Sequence, residues 1–288
     1  MTALERCGPT DSDRSTGAIL VEAGRMKAED VARVLQLQRD QRLRFGEAAV
    51  RLGVVAAADI EFALSLQFGY RCLVRGRSSV SENLVAAYAT SGPELEALRA
   101  LRAQLMQRWF DGAPAHKALA VLSADRGEGR SFVAASLAVV LSRFGQRTLL
   151  IDADMRRPAQ HALFGLDNAL GLSAVLAGRS RHGAVRDVAD LPELAVLPAG
   201  AVPPNPQELL ARPSFPLLLS DLAQSYDAIL LDTSCAAECT DGHTVAQRCG
   251  AALVLARKSV SRTSSVRGVC DAVKQAGATV VGTVLNDF

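Results

Sequence analysis

The sequence predicts an α/β domain, a mostly parallel open sheet with helices on both faces, preceded by a small all-helical domain. Three observations carry this. Residues 120–123 form an apolar run that breaks into a glycine-bearing turn and reopens as an apolar helix over 132–138. Later apolar runs end in Asp152, Asp232 and Asn286 and alternate with helical stretches, the rhythm of strands joined by crossover helices. The first 70 residues instead repeat themselves, with Gly17 and Gly46, Gly24 and Gly53, and Asp30 and Asp59 each 29 positions apart.

Composition bounds the alternatives. At 288 residues and 49% hydrophobic, the chain can bury a large core. Its net charge of +2, from 32 basic and 30 acidic residues, provides no overall basic field and argues against a nucleic-acid polymer as partner. The six cysteines include no C-x-x-C pair and no histidine at zinc-ligand spacing, which reads as reduced thiols in a cytosolic protein. Charges or glycines interrupt each apolar run, and the amino-terminus is polar, so membrane attachment is expected only through a partner.

In the amino-terminal domain, assigned to residues 1–70, each repeat reads as a short helix ended by glycine, a turn, an acidic residue near an N-cap and a second helix. The apolar sides of the second helices carry Val34, Leu35 and Leu37, or Ala63, Leu64 and Leu66. Positions 15–38 and 44–67 frame the two motifs. This pattern resembles the amino-terminal domain of type II secretion and pilus ATPases, the cyclic di-GMP-binding kind of the MSHA pilus system, built on R-L-G…G…L…Q. Arg44 and Gly46 retain that signature, whereas Ser15 replaces the first arginine, with Arg14 one residue away. The resemblance implies cyclic di-GMP contacts from Arg14, Gly17, Arg44 and Gly46. The competing reading is a docking module whose glycines and leucines serve packing.

Residues 71–88 read as a linker, since basic residues, serine and glycine replace the apolar period over 71–81. The nucleotide domain is assigned to 89–288. It opens on a helix from Pro93 with Leu95, Leu98, Leu101, Leu105 and Met106 as its stripe. Glu96, Arg99 and Arg102 cluster on one side of it, either as surface helix pairs or as a contact between subunits.

The stretch 123–131 has the spacing of a P-loop, which makes the fold P-loop NTPase-like. Backbone N–H groups around Gly127, Glu128 and Gly129 can close on phosphate oxygens, a cation follows at Arg130, and the Ser131 hydroxyl, with Phe132 next, opens the helix. Arg130 stands where lysine is usual, and Ala124 at the first glycine. Two carboxylates, Asp152 and Asp154, follow the next strand, at the sheet edge where ligands collect. A run of prolines over 203–206 precedes a helix, and the strand over 226–233 ends in Asp232, a Walker B position suited to hydrated magnesium. Further strands cover 251–256 and 278–286, around a helix from about Ser264 to Ala276.

Together these motifs resemble the bacterial tyrosine kinases, of the EpsG type attached to exopolysaccharide chain-length systems. The resemblance implies ATP and Mg2+ as cofactors. It gives Arg130 the lysine's role, Ser131 and Asp232 the magnesium, Asp152 the catalytic base, Asp154 a supporting metal-site carboxylate and Asn286 an adenine contact. It also implies a homo-oligomer contacting through Glu96, Arg99 and Arg102, and a membrane chain-length determinant, or polysaccharide co-polymerase, as partner. The chain is then expected to be cytoplasmic and peripheral to the inner membrane.

The departures matter as well. The planar guanidinium of Arg130 changes the geometry of phosphate docking. Arg126 replaces a proline usual in the loop and can partly compensate, and Ser234 and Cys235 replace prolines after Asp232. The tyrosines are Tyr70, Tyr88 and Tyr226, so the family's usual tyrosine cluster is not expected. A partition- or division-site ATPase is disfavoured because Asp125 occupies that group's signature lysine position. The alternative kept open is a nucleotide-binding regulatory module, responsive to cyclic di-GMP, that phosphorylates nothing.

Overall fold

The computed structural model describes residues 15–67, 72–179 and 183–287. The chain divides into a small unit, running to Leu73 and including Ala89–Gly92, and a large unit of Val74–Tyr88 with the residues from Pro93 onward.

The small unit holds helices α1 (Thr16–Glu22), α2 (Ala28–Gln41), α3 (Phe45–Arg51) and α4 (Ala57–Gln67). The starts of α1, α3 and α4 are each fixed by a polar side chain, while α2, with Lys27 at its N-cap, begins without one. Ser15 Oγ accepts from Ala18 N at 3.3 Å, Glu47 Oε2 from Arg44 N at 3.0 Å, and Asp59 Oδ2 from Ala56 N at 2.9 Å. Gly24 and Gly53, at φ 68° and 67°, turn the chain out of α1 and α3 in the left-handed conformation that glycine tolerates. α1 packs on α4 and α2 on α3, so neither repeat forms a core alone.

The 29-residue offset governs that core. Its buried residues are Ile19 and Ala48, Leu20 and Ala49, Met26 and Val55, and Val34 and Ala63, four pairs at matched positions. The larger member of each lies in the first repeat, so the halves interlock unequally. Gly17 and Gly46 serve close approach here, since a Cβ at Gly17 would meet Phe45 Cζ at 2.9 Å and one at Gly46 would meet Ile60 Cγ2 at 2.6 Å. Arg25 NH1 donates to Asp59 Oδ1 at 2.7 Å, its guanidinium 3.9 Å over the Phe62 ring, and joins the two halves. Arg14 lies outside the described residues.

The large unit comprises α5 (Val85–Tyr88), α6 (Pro93–Arg108), β1 (Ala118–Ser123), α7 (Arg130–Arg143), β2 (Thr148–Asp152), α8 (Gln160–Phe164), α9 (Leu172–Leu176) and β3 (Arg186–Asp187). It continues through β4 (Leu194–Leu197), α10 (Pro206–Ala211), α11 (Ser214–Ser225), β5 (Ala228–Asp232), α12 (Asp241–Cys249), β6 (Ala251–Arg257), α13 (Thr263–Gln275) and β7 (Thr279–Asn286). The sheet runs β3-β4-β2-β5-β1-β6-β7, parallel except for β3, a two-residue antiparallel edge too short to show in the sequence.

Alternate strand residues bury opposite faces. Ala120, Leu122, Leu149, Ile151, Ile229 and Leu231 join one core cluster with residues of α9 to α13. Leu119, Val121, Leu150, Leu230 and Leu253 are buried between them in sequence, facing the other way, where α7 lies along β2, β5 and β1.

The stretch read as a linker packs instead. Ser81 N donates to Leu163 O at 2.8 Å, Tyr88 Oη donates to Val80 O, and Arg143 NH1 donates to Ala86 O at 2.7 Å. Leu84, Ala86 and Ala87 are buried, so Val74–Tyr88 belongs with the large unit. Its anchors are carbonyls and scattered apolar residues, which leave no period to read. Among the described residues no helix is long and apolar enough to cross a membrane, and Cys72, Cys235, Cys239, Cys249 and Cys270 are free thiols.

Candidate functional site

Strands β2, β5 and β1 are neighbours, and the segments leaving their carboxyl ends carry the predicted residues. After β1, Gly127 and Gly129 adopt φ of 72° and 89°, and Gly129 caps α7. The loop is braced from behind. Glu128 is fully buried, with Oε2 accepting from Asp125 N at 2.8 Å and Oε1 from the Ser261 hydroxyl. Asn286, at the end of β7, donates Nδ2 to the Glu128 carbonyl at 3.2 Å, tying the predicted adenine contact to the loop itself. Phe132 is 38% exposed beside the loop.

Arg130 folds inward. Its Nε donates to Thr233 O at 2.8 Å, and its NH1 donates to Asp125 O at 3.0 Å and to Ser123 Oγ. The guanidinium therefore lies across the floor of the loop, joining β1 to the segment after β5. A lysine ammonium, with a compact charge and freely rotating donors, would not be held by the same planar set of acceptors.

Asp152 and Asp232 are register partners at the ends of β2 and β5, and both are fully buried. Asp152 Oδ2 accepts from Ala159 N and Gln160 N, each at 2.9 Å, at the start of α8. Gln160 Nε2 donates to Asp232 Oδ2 at 2.8 Å and to Ser131 O at 3.1 Å, so one buried amide links the loop helix, the Walker B carboxylate and the segment after β2. Nothing in the sequence marks Gln160, because its role rests on contacts across distant segments. Asp154 Oδ1 accepts from Arg156 N at 3.2 Å, Arg157 N at 3.0 Å and Ser234 Oγ at 2.8 Å. Arg156 forks onto buried Asp241, with Nε to Oδ2 at 2.8 Å, and that carboxylate raises the arginine's pKa.

Burial dominates the electrostatics. It pushes Asp152 well above the ordinary carboxylate range, reinforced by the charge of Asp232 and opposed by the two N–H groups at α8. Asp232 rises to about 6 for the same first reason, with the Ser131 hydroxyl, the Gln160 amide and the Arg130 charge pulling it down. One oxygen of each carboxylate, Oδ1 of Asp152 and of Asp232, is buried without a hydrogen-bond partner. Such orphaned hard oxygens suit a divalent cation. Among the described residues no group of three or more ligating side chains could hold a metal by itself. Magnesium is ordinarily held by one or two carboxylates together with phosphate oxygens and water.

The residues predicted to meet another subunit sit on α6. Arg99 pairs with Glu96, while Arg102 Nε donates to Gln146 Oε1 at 3.1 Å and its guanidinium lies 4.1 Å over the Phe144 ring. Burial lowers the Arg102 pKa. Arg102 thus has partners within the large unit, and Glu96, with 62% of its side chain exposed, faces outward.

No family model matches the chain. The tyrosine-protein kinase ptk of Acinetobacter johnsonii is 34% identical over 195 residues, covering 67% of this chain and 26% of the relative. The protein named tyrosine-protein kinase CapB in Staphylococcus aureus is 32% identical over 192 residues, 66% of this chain and 83% of that one. Among solved structures, the kinase domain of the Escherichia coli tyrosine kinase ETK superposes with a TM-score of 0.63 at 33% identity, covering 67% of this chain and 74% of that domain. The chain spans about a quarter of the length of relatives such as ptk.

The buried pair predicts an inverted pH dependence of stability. An unfolded aspartate titrates near 3.8 and Asp232 in the fold near 6, so the stability linked to its proton is full below about pH 4 and is lost as pH rises through 6. Without metal or nucleotide, the Asp232→Asn variant should unfold at higher denaturant than the parent at pH 7.5, by up to ~3 kcal/mol, with the difference closing toward pH 4. A destabilised variant at pH 7.5 would contradict this.

Proposed function

The chain belongs to the bacterial tyrosine-protein kinases, and from that premise we propose that it is an ATP-dependent phosphotransferase of the tyrosine-kinase type, regulating exopolysaccharide chain length and export. The observation that carries this reading is the pair of orphaned carboxylate oxygens on Asp152 and Asp232, beside the glycine loop and Ser131. In this reading the N–H groups over residues 127–131 bind phosphate, and Asn286 lies toward the base. Ser131 and Asp232, supported by Asp154, would hold magnesium, which supplies positive charge to the transferring phosphoryl. Asp152 Oδ1 takes the proton of the acceptor hydroxyl, favoured by a pKa raised through burial.

Tyr88 is excluded as the acceptor, since it is buried and its hydroxyl is bonded to Val80 O. The partner would be a membrane chain-length determinant, placing the chain at the cytoplasmic side of the inner membrane. Assembly into a homo-oligomer would use the outward face of α6 at Glu96 and Arg99.

One observation favours the second reading, a nucleotide-binding regulator without transfer: the inward ties of Arg130. Incubating the full chain with radiolabelled ATP and magnesium, with and without the partner's cytoplasmic tail, separates the two. A kinase gives phosphotyrosine that falls about 100-fold or more in Asp152→Asn, and Arg130→Lys should raise it about tenfold or more by restoring a donor that reaches the phosphoryl group. Binding of ATP with neither product, in parent and Arg130→Lys alike, would favour the regulator.

For the small unit the proposed ligand is cyclic di-GMP, resting on the motif around Arg44, which is exposed. Gly17 and Gly46 then keep the helices close beneath it, with Arg14 as the counterpart of Arg44. Titration of the full chain with cyclic di-GMP should release heat that Arg44→Ala abolishes. Absence of heat at tens of micromolar ligand would leave the unit a docking module.

A further inference from the structure

Outside the Asp152–Asp232 centre, the same three strand ends share one ion-pair cluster. Glu238, after β5, receives on its single Oε1 both Arg157 NH1, from the segment after β2, at 2.9 Å and Arg126 Nε, from the glycine loop, at 3.4 Å. Two guanidinium groups on one carboxylate leave the cluster net positive. It is also accessible, with side-chain exposures of 61% for Arg126, 49% for Arg157 and 31% for Glu238.

Two further facts give this cluster a use. Arg130, the cation at the P-loop position, is spent on Thr233 O, Asp125 O and Ser123 Oγ. Meanwhile Arg126 belongs to the same loop, and the backbone N–H of Arg157 is fixed by Asp154 Oδ1 at 3.0 Å, so both arginines spring from segments held at the site. Half-exposed ion pairs are held weakly. A phosphoryl group offers guanidinium more charge and two or three acceptor oxygens, and takes it bidentately.

We propose that Arg126 and Arg157 form a second cationic site, for the terminal phosphoryl group of a nucleoside triphosphate, and that Glu238 is the counter-ion they exchange for it. Arg130 then organises the loop, and the exposed pair distinguishes triphosphate from diphosphate. This rests on the reading of the loop as a nucleotide site. It adds that the Glu238 carboxylate competes with the nucleotide, so that removing its charge strengthens binding.

Calorimetric titration of the full chain with magnesium, using ADP and a non-hydrolysable ATP analogue, tests the proposal. Substituting Arg126→Ala and Arg157→Ala together should weaken the triphosphate analogue about tenfold or more while leaving ADP within about twofold. The conservative Glu238→Gln variant should bind the triphosphate several-fold more tightly than the parent, with ADP unchanged. Equal loss for both nucleotides in the double variant, or no loss for either, would overturn the proposal, as would unchanged or weaker triphosphate binding in Glu238→Gln. A parent that binds neither nucleotide would instead overturn the nucleotide-site reading beneath it.

Discussion

Two aspartates held in register at the ends of adjacent parallel strands, and buried there, set the terms for the rest of the large unit. β2 and β5 pair from Thr148 with Ala228 to Asp152 with Asp232, so the carboxylates cannot separate without breaking the ladder. Burial opposes the ionisation of both, reinforced by the Asp232 charge at Asp152 and by the Asp154 charge at Asp232. The surroundings answer with donors: two N–H groups at α8 for Asp152, the Gln160 amide for Asp232, and the nearby Arg130 charge. Those donors engage Oδ2 of each carboxylate and leave Oδ1 of each unpaired. A divalent cation, as proposed at Asp232, would favour the ionised form that burial opposes.

Arg130 shows how a single substitution redistributes the work of a loop. Its fork matches three acceptors on the loop floor, and the bond to Thr233 O stitches β1's loop to the segment after β5. Behind the loop, Glu128, Ser261 and Asn286 hold it from the β6 and β7 side. The loop is therefore rigid from two directions, as a phosphate cradle needs to be, while the cationic reach toward solvent passes to side chains at its mouth. Rigidity and reach reside in different residues.

Much of this architecture was legible because it is local. Apolar runs ending in Asp152, Asp232 and Asn286 announced β2, β5 and β7, and the glycine spacing announced the start of α7. The 29-residue offset announced the repeat and the burial of Val34 and Ala63, but Leu35 and Leu64, read on the same apolar sides, are 40% and 39% exposed, and the core pair Leu20 and Ala49 carried no mark of its own. What stayed hidden depends on distant segments meeting. Gln160 gains its role only when α8 reaches Asp232, Glu238 only when two arginines from other strand ends converge on it, and Val74–Tyr88 only when Leu163 and Arg143 supply its anchors. The inward turn of Arg130 was equally unreadable, because its acceptors Thr233 O and Ser123 Oγ come from different strands.

That Asp232, beside the Asp152 base, belongs to a divalent-cation site completed by nucleotide phosphate is tested most directly by water-proton relaxation with Mn2+ as the probe. Weak Mn2+ binding by the chain alone is expected, with one Mn2+ bound tightly per chain when ATP is present and the tight site lost in Asp232→Ala. Tight Mn2+ binding without ATP, or an ATP-dependent site that survives in Asp232→Ala, would contradict it.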